Sequence, residues 1–190
     1  YLAVWGFDDI HEIHSNDKLN SGKLIELQNK INIWKRESDD IAAVGYLSYD
    51  SKNLFFPNLS FKDIKTDIPT VWFGKPKIIE RVEKKLVDSY YPEVDINKYQ
   101  DLASDKVYHK YINNIKSYME EGDVYQINYT QPMRYKYKGK EIDLFRKLTK
   151  FSKPDYGAYL NLNEFQIISL SPEKFFTKIG NNISSSPIKG

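Results

Sequence analysis

Apolar and polar positions change their period several times along this chain, and each change marks an expected element. Residues 1–14 alternate loosely around a break at Gly6, which predicts two short strands. From about Asp17 to Glu37, the residues Leu24, Leu27, Ile31 and Trp34 recur at three- and four-residue steps, the helical period. The stretch Ile41 to Tyr49 is almost wholly apolar and predicts a strand covered on both faces. Residues 50–69 are polar and punctuated by Pro57 and Pro69, so a loop is expected there. Two strands are expected at about 70–74 and 77–82, separated by Gly74 and Pro76, with a connection over 88–103.

The clearest periodicity runs from Ser104 to Glu121, where Tyr108, Tyr111, Ile112, Ile115, Tyr118 and Met119 form one stripe. That stripe is expected to face a core. Ser104 suits the N-cap of this helix and Gly122 its C′ position. Asp123 to Tyr137 then alternates as a long strand, and Ile142, Leu144, Phe145, Leu148 and Phe151 mark a second helix. After Pro154, strands are expected at 156–162 and 165–170, with a hairpin pairing about 173–179 with 183–189. Strands and helices without regular βαβ alternation predict an α+β protein with largely antiparallel sheets and flanking helices. No repeat, low-complexity tract or shift in composition marks a domain boundary, so one domain is expected over residues 1–190.

Composition narrows the function. With 41% hydrophobic and 28% charged residues among 190, the chain is too apolar for intrinsic disorder, and its 15% aromatics supply material for a core. Its 28 basic and 26 acidic side chains leave a net charge of +2, and Arg occurs only at positions 36, 81, 134 and 146. That balance argues against a nucleic-acid partner, whose phosphates favour clustered Arg. The absence of Cys excludes disulfides, thiolate metal sites and a cysteine nucleophile, and suits a cytoplasmic location. No apolar run reaches the roughly 18 residues that a membrane-spanning helix needs, so no membrane partner is expected. The opening at Tyr1 within an apolar stretch, and the ending at Gly190, suggest a truncated fragment of a longer protein. His11 and His14 flank Glu12 at a three-residue step on an expected strand or turn, which reads as a solvated polar edge rather than a metal site.

Three segments carry the chemistry: Gly122-Asp123-Val124-Tyr125-Gln126-Ile127-Asn128, Ser171-Pro172-Glu173, and Pro187-Ile188-Lys189-Gly190. In order and spacing they resemble the chorismate-utilising enzymes, a family that includes anthranilate synthase component I, aminodeoxychorismate synthase component I, and the isochorismate and salicylate synthases. Gly45-Tyr46-Leu47-Ser48-Tyr49-Asp50 is similar to that family's glycine-and-tyrosine strand. The resemblance is dense from residue 105 onward and thin before residue 40. It implies the family's α+β fold, here as the N-terminal and central part of one chorismate-binding domain without its C-terminal catalytic half. Within the family, Lys at position 189 resembles the aminodeoxychorismate synthases, where the motif continues with Thr, whereas anthranilate and isochorismate synthases usually carry Ala.

The resemblance implies that Lys189 is a covalent nucleophile, that Glu173 is the general acid and base, and that Gly190 belongs to the substrate site. The substrates would be chorismate and ammonia, the latter delivered by a glutamine amidotransferase subunit, on a cytoplasmic route to p-aminobenzoate and folate. Mg²⁺ is the implied cofactor, with ligands in the C-terminal half, and the fragment alone is expected to be inactive. Pro154, Asp155 and Tyr156 resemble a stretch that lines an effector site in some members, although Asp155-Tyr156 departs from the commoner form and a turn entering a strand explains it as well. Local geometry permits a Glu173–Lys189 site. An odd-numbered loop centred on Asn181 sets the two residues opposite each other on one face, whereas a two-residue loop sends them to opposite faces. An ordinary cross-strand ion pair would satisfy the same spacing. Two other functions stay open: anthranilate synthase or another chorismate enzyme, and a non-catalytic effector-binding or subunit-docking module.

Overall fold

The computed structural model describes residues 2–14, 21–56, 58–59, 61, 66–81, 93–101 and 104–187. The chain divides into two compact units, residues 1–90 and 91–190. Among the described residues every strand pair is antiparallel, in keeping with the α+β reading.

The first unit is a three-stranded sheet in the order β1 (Leu2–Ile13), β3 (Val71–Arg81), β2 (Val44–Leu47), covered by helix α1 (Ser21–Glu37). Two expected interruptions are bridged. Gly6 takes φ +65° yet stays inside β1, next to a register shift between Phe7 and Asp9. The shift absorbs one extra residue in the manner of a β-bulge. Pro76 likewise stays inside β3, opposite Phe7 at that same shift and beyond the last residue paired with β2. A proline without an N–H is tolerated where the ladder is already disturbed. The strand expected over Ile41 to Tyr49 shortens to four residues and lies at the sheet edge, with Gly45 and Leu47 exposed. It is therefore not covered on both faces. The expected loop at 50–69 contains a 3₁₀ turn (Tyr49–Ser51) and a short helix α2 (Lys52–Phe55).

Helix α1 lays the predicted stripe on the sheet: Leu27 is buried beside Ile13 and Val71, with Leu24, Ile31 and Leu54 around them. Asp9 locks the helix to β1, accepting from Lys30 Nζ at 2.9 Å and Trp34 Nε1 at 3.2 Å. The Lys30 hydrogen bond holds the Asp9 carboxyl below its ordinary range. His14 Nε2 lies 3.4 Å from Glu12 at the end of β1, and no group of three metal-ligating side chains forms among the described residues.

The second unit contains three two-stranded ladders: β4 (Asp95–Asp101) with β5 (Met133–Lys138), β6 (Tyr156–Asn161) with β7 (Gln166–Ser171), and β8 (Thr177–Ile179) with β9 (Asn182–Ser184). Helix α3 (Asp105–Glu120) precedes β5, and helix α4 (Glu141–Ser152) precedes β6. The described part of the expected connection at 88–103 is thus largely strand β4. The long strand expected from Asp123 to Tyr137 begins only at Met133. Pairing with β4 ends where Asp101 meets Met133, so the earlier residues have no partner backbone in that ladder. Helix α3 buries none of its residues, and Tyr111 and Tyr118 stand about half exposed, contrary to the core-facing stripe expected. Its period reports one face of a helix, and period alone does not say what covers that face. No helix among the described residues is long and apolar enough to cross a membrane.

Candidate active site

The motif that begins at Gly122 starts as a helix stop. Gly122 takes φ +80°; its N–H donates to the Met119 carbonyl at 3.3 Å and the Asp123 N–H to the Tyr118 carbonyl at 2.9 Å. These are the paired bonds of a Schellman cap, and a residue in left-handed conformation at C′ explains the glycine. Ser104 caps the other end, its hydroxyl accepting from the Val107 N–H at 3.4 Å. Beyond the cap the chain forms neither helix nor strand before Met133. Tyr125 is 94% exposed, while the Tyr129 ring sits 5.7 Å from Tyr108 and 5.9 Å from Tyr111, returning the segment to α3.

The hairpin β6–β7 carries the second motif. A turn with Asn163 at φ +67° sets Tyr156 opposite Ser171 and Asn161 opposite Gln166. One face of this hairpin meets α4: the rings of Phe145 and Tyr159 stack at 5.9 Å, and a Cβ on Gly157 would approach Pro154, Thr149 and Phe145. Burial and Glu141 push the Tyr159 hydroxyl above its ordinary pKa. Lys147 on α4 donates to the Val94 carbonyl, which ties the helix to the start of β4.

Ser171 ends β7, and Pro172 and Glu173 turn away from the ladder. The Ser171 hydroxyl donates to the Glu173 carbonyl at 2.9 Å, closing that bend. Glu173 is partly buried, and among the described residues its carboxylate makes no hydrogen bond or ion pair. Lys174 reaches back to Tyr156, its ammonium 5.6 Å from the ring centroid. The structure therefore gathers Glu173 and Tyr156, two residues singled out in separate segments, around one hairpin end. Pro154 and Asp155 sit just before β6, following Lys153 in left-handed conformation at φ 45°, which is the turn into a strand.

Lys189 and Gly190 lie outside the described residues. The hairpin leading to them corrects one expectation: Ile179 pairs with Asn182, Lys178 with Ile183 and Thr177 with Ser184, so the loop is the two residues Gly180 and Asn181. Gly180 takes φ +58° at the first turn position, where two-residue hairpin turns of the II′ class favour glycine. An odd-numbered loop centred on Asn181 is excluded. The expected ladder also shortens, because β8 begins at Thr177, four positions after Glu173, so the hairpin register does not extend to Glu173. Lys174 was missed by sequence reasoning. The signal was the symmetric hairpin spacing around residues 162–165, which sets Tyr156 beside the Ser-Pro-Glu bend.

No three or more His, Asp or Glu side chains able to hold a metal ion cluster among the described residues.

Comparison with known proteins fits this arrangement. Residues 77–190 match the family model for chorismate binding enzymes. The chain is 35% identical over 83 residues to aminodeoxychorismate synthase component 1 of Klebsiella aerogenes, covering 44% of this chain and 18% of that protein. It is 31% identical over 102 residues to the Escherichia coli protein of the same name, covering 52% and 22%. It is also 31% identical over 83 residues to anthranilate synthase component 1 of Pseudomonas putida, covering 44% and 17%. The matched region thus spans about a fifth of the length of these curated relatives. With the family model matching more than half of the chain, and with the Gly-Asp-Val-Tyr-Gln and Ser-Pro-Glu segments set at a helix cap and a hairpin end, this chain belongs to the chorismate binding enzyme family.

Proposed function

We propose that the full-length protein converts chorismate and ammonia to 4-amino-4-deoxychorismate, as an aminodeoxychorismate synthase component I. The observation that carries this reading is Lys189 within Pro187-Ile188-Lys189-Gly190, where the anthranilate-type enzymes usually place Ala. The resemblance to aminodeoxychorismate synthase component 1 of Klebsiella aerogenes, at 35% identity, supports it.

In this mechanism the neutral amine of Lys189 attacks C2 of chorismate. The ring double bonds shift, and the C4 hydroxyl leaves as water after taking a proton from the Glu173 carboxylic acid. Ammonia then adds at C4, the double bonds shift back, and the C2–N bond to Lys189 breaks as the departing amine takes up a proton. Covalent catalysis divides one displacement of a poor leaving group into two easier ones. A carboxyl within reach of both nitrogen and oxygen serves as acid in the first step and base in the second. The Glu173 carboxylate has no competing partner among the described residues, which suits that role. The family resemblance adds Mg²⁺, whose ligands would lie in the C-terminal half and which would bind the anionic substrate. It also adds a glutamine amidotransferase subunit as the source of ammonia and a cytoplasmic setting in folate synthesis.

The test is product identity from full-length protein given chorismate, ammonia and Mg²⁺, together with intact mass. Wild-type protein should yield 4-amino-4-deoxychorismate and, under single turnover, a lysine–substrate adduct that Lys189→Ala lacks. Wild-type turnover by Lys189→Ala would overturn the nucleophile assignment. A second reading, anthranilate synthase, is favoured by the 31% identity to the Pseudomonas putida protein, and anthranilate as product would establish it. No turnover at all would leave the non-catalytic docking or effector-binding module.

A further inference from the structure

We propose that Ser171, Lys174 and Tyr156 are positioning residues that aim the Glu173 carboxyl, the first through a hydrogen bond that closes the bend and the other two through a cation–π contact that pins it to the β6–β7 hairpin. The inference rests on the reading of Glu173 as the acid–base group.

Glu173 follows the last residue of β7 and precedes β8 by four positions, so no ladder bond fixes its backbone. Its carboxylate has no hydrogen bond or ion pair among the described residues, so the peptide that carries it is the part of Glu173 that the surrounding structure holds. That peptide is held on both sides. On the N-terminal side, Pro172 restricts Ser171 to extended backbone, and the Ser171 hydroxyl donates to the Glu173 carbonyl at 2.9 Å. On the C-terminal side, Lys174 places its ammonium 5.6 Å from the Tyr156 ring centroid. Tyr156 is a firm base for this contact, since it pairs with Ser171 across the hairpin and is followed by Gly157, which lies close against Pro154 and α4. The cation sits on the negative face of the ring, an attraction that survives partial exposure. With the residues at 171 and 174 tethered to the same hairpin end, the Glu173 backbone between them is held in place and fixes where the side chain starts. A small misplacement of an acid–base group lowers the rate steeply without weakening substrate binding.

The test uses the full-length protein with Lys174→Gln, Tyr156→Leu and Ser171→Ala, beside the conservative Lys174→Arg and Tyr156→Phe, which keep a cation and a ring. Each of the first three should lower kcat by about fivefold or more with KM within about twofold of wild type, and the conservative pair should recover most of the loss. Unchanged kcat, a loss confined to KM, or failure of Lys174→Arg to rescue would each overturn the proposal. Amide hydrogen exchange across residues 171–176 in the same proteins reads the anchor without turnover. Faster exchange in Lys174→Gln and Tyr156→Leu supports the anchor, and exchange equal to wild type overturns it. If wild-type protein does not turn over chorismate, the functional reading fails on that result, and the exchange measurement still decides whether this bend is held as described.

Discussion

At the scale of single residues, several positions in the family-like segments have plain physical reasons. A Cβ on Gly45 would collide with the Trp72 carbonyl oxygen and lie 2.7 Å from the Phe73 ring, so only glycine lets β2 approach β3 there. Its neighbour Tyr46 turns its hydroxyl onto the Pro69 carbonyl at 2.9 Å. Burial, with a smaller contribution from the charge of Glu12, pushes that hydroxyl from near 10 up to about 12. A raised pKa means that the fold favours the neutral phenol, so this contribution is fully present below the unfolded value near 10 and fades as pH rises toward about 12. Alkaline unfolding of full-length Tyr46→Phe should therefore show a shallower loss of stability across that interval than wild type. Tyr137 and Tyr159 are also raised, mainly by burial, and keep part of the slope. None of this could be seen from the Gly-Tyr pair itself, because the atoms that crowd Gly45 and shield Tyr46 arrive from residues 69–73.

At the scale of elements, local signals were reliable where the backbone satisfies itself. Ser104 and Gly122 marked the two ends of α3 because the groups they satisfy belong to the same helix. Replacing Gly122 by Ala should cost about 1 kcal/mol, as nothing lies within 4 Å of a Cβ there and only the left-handed backbone at φ +80° penalises it. A lower denaturation midpoint in the full-length protein at unchanged slope, their product falling by that free energy, checks the expectation; no change would mean that the cap is not formed. The same residue opens the Gly-Asp-Val-Tyr-Gln segment, so the variant should also loosen Asp123. Strand lengths were less legible. Gly6, Gly74 and Pro76 read as breaks, yet β1 and β3 pass through them because each supplies the other with a partner and a bulge absorbs the mismatch. The alternating stretch before Met133 has the opposite fate, since β4 ends before reaching it.

At the scale of the whole molecule, burial is unevenly shared. Among the described residues, Ile13, Leu27, Trp34, Val71 and Trp72 are buried in the first unit, and Val94 is the one buried hydrophobic residue in the second. Ile13→Ala should therefore cost roughly 2–5 kcal/mol in the full-length protein, while Ile183→Ala, on a side chain 67% exposed, should stay within about 0.5 kcal/mol. Equal effects on the unfolding midpoint would contradict this division. Periodicity, capping residues and turn residues determined by themselves that the chain is α+β, where α1, α3 and α4 run, where β6 and β7 lie, and which segments resemble the chorismate enzymes. These are properties of neighbours in sequence, whose hydrogen bonds and apolar faces repeat every two or four residues. Only the tertiary structure decided that β2 is an edge, that α3 keeps its aromatic stripe exposed, and that the loop at Gly180 and Asn181 has two residues. It also decided that Lys174 reaches from the Glu173 bend to Tyr156. Each depends on which distant backbone comes alongside, and a strand's partner is chosen by the fold rather than by the strand.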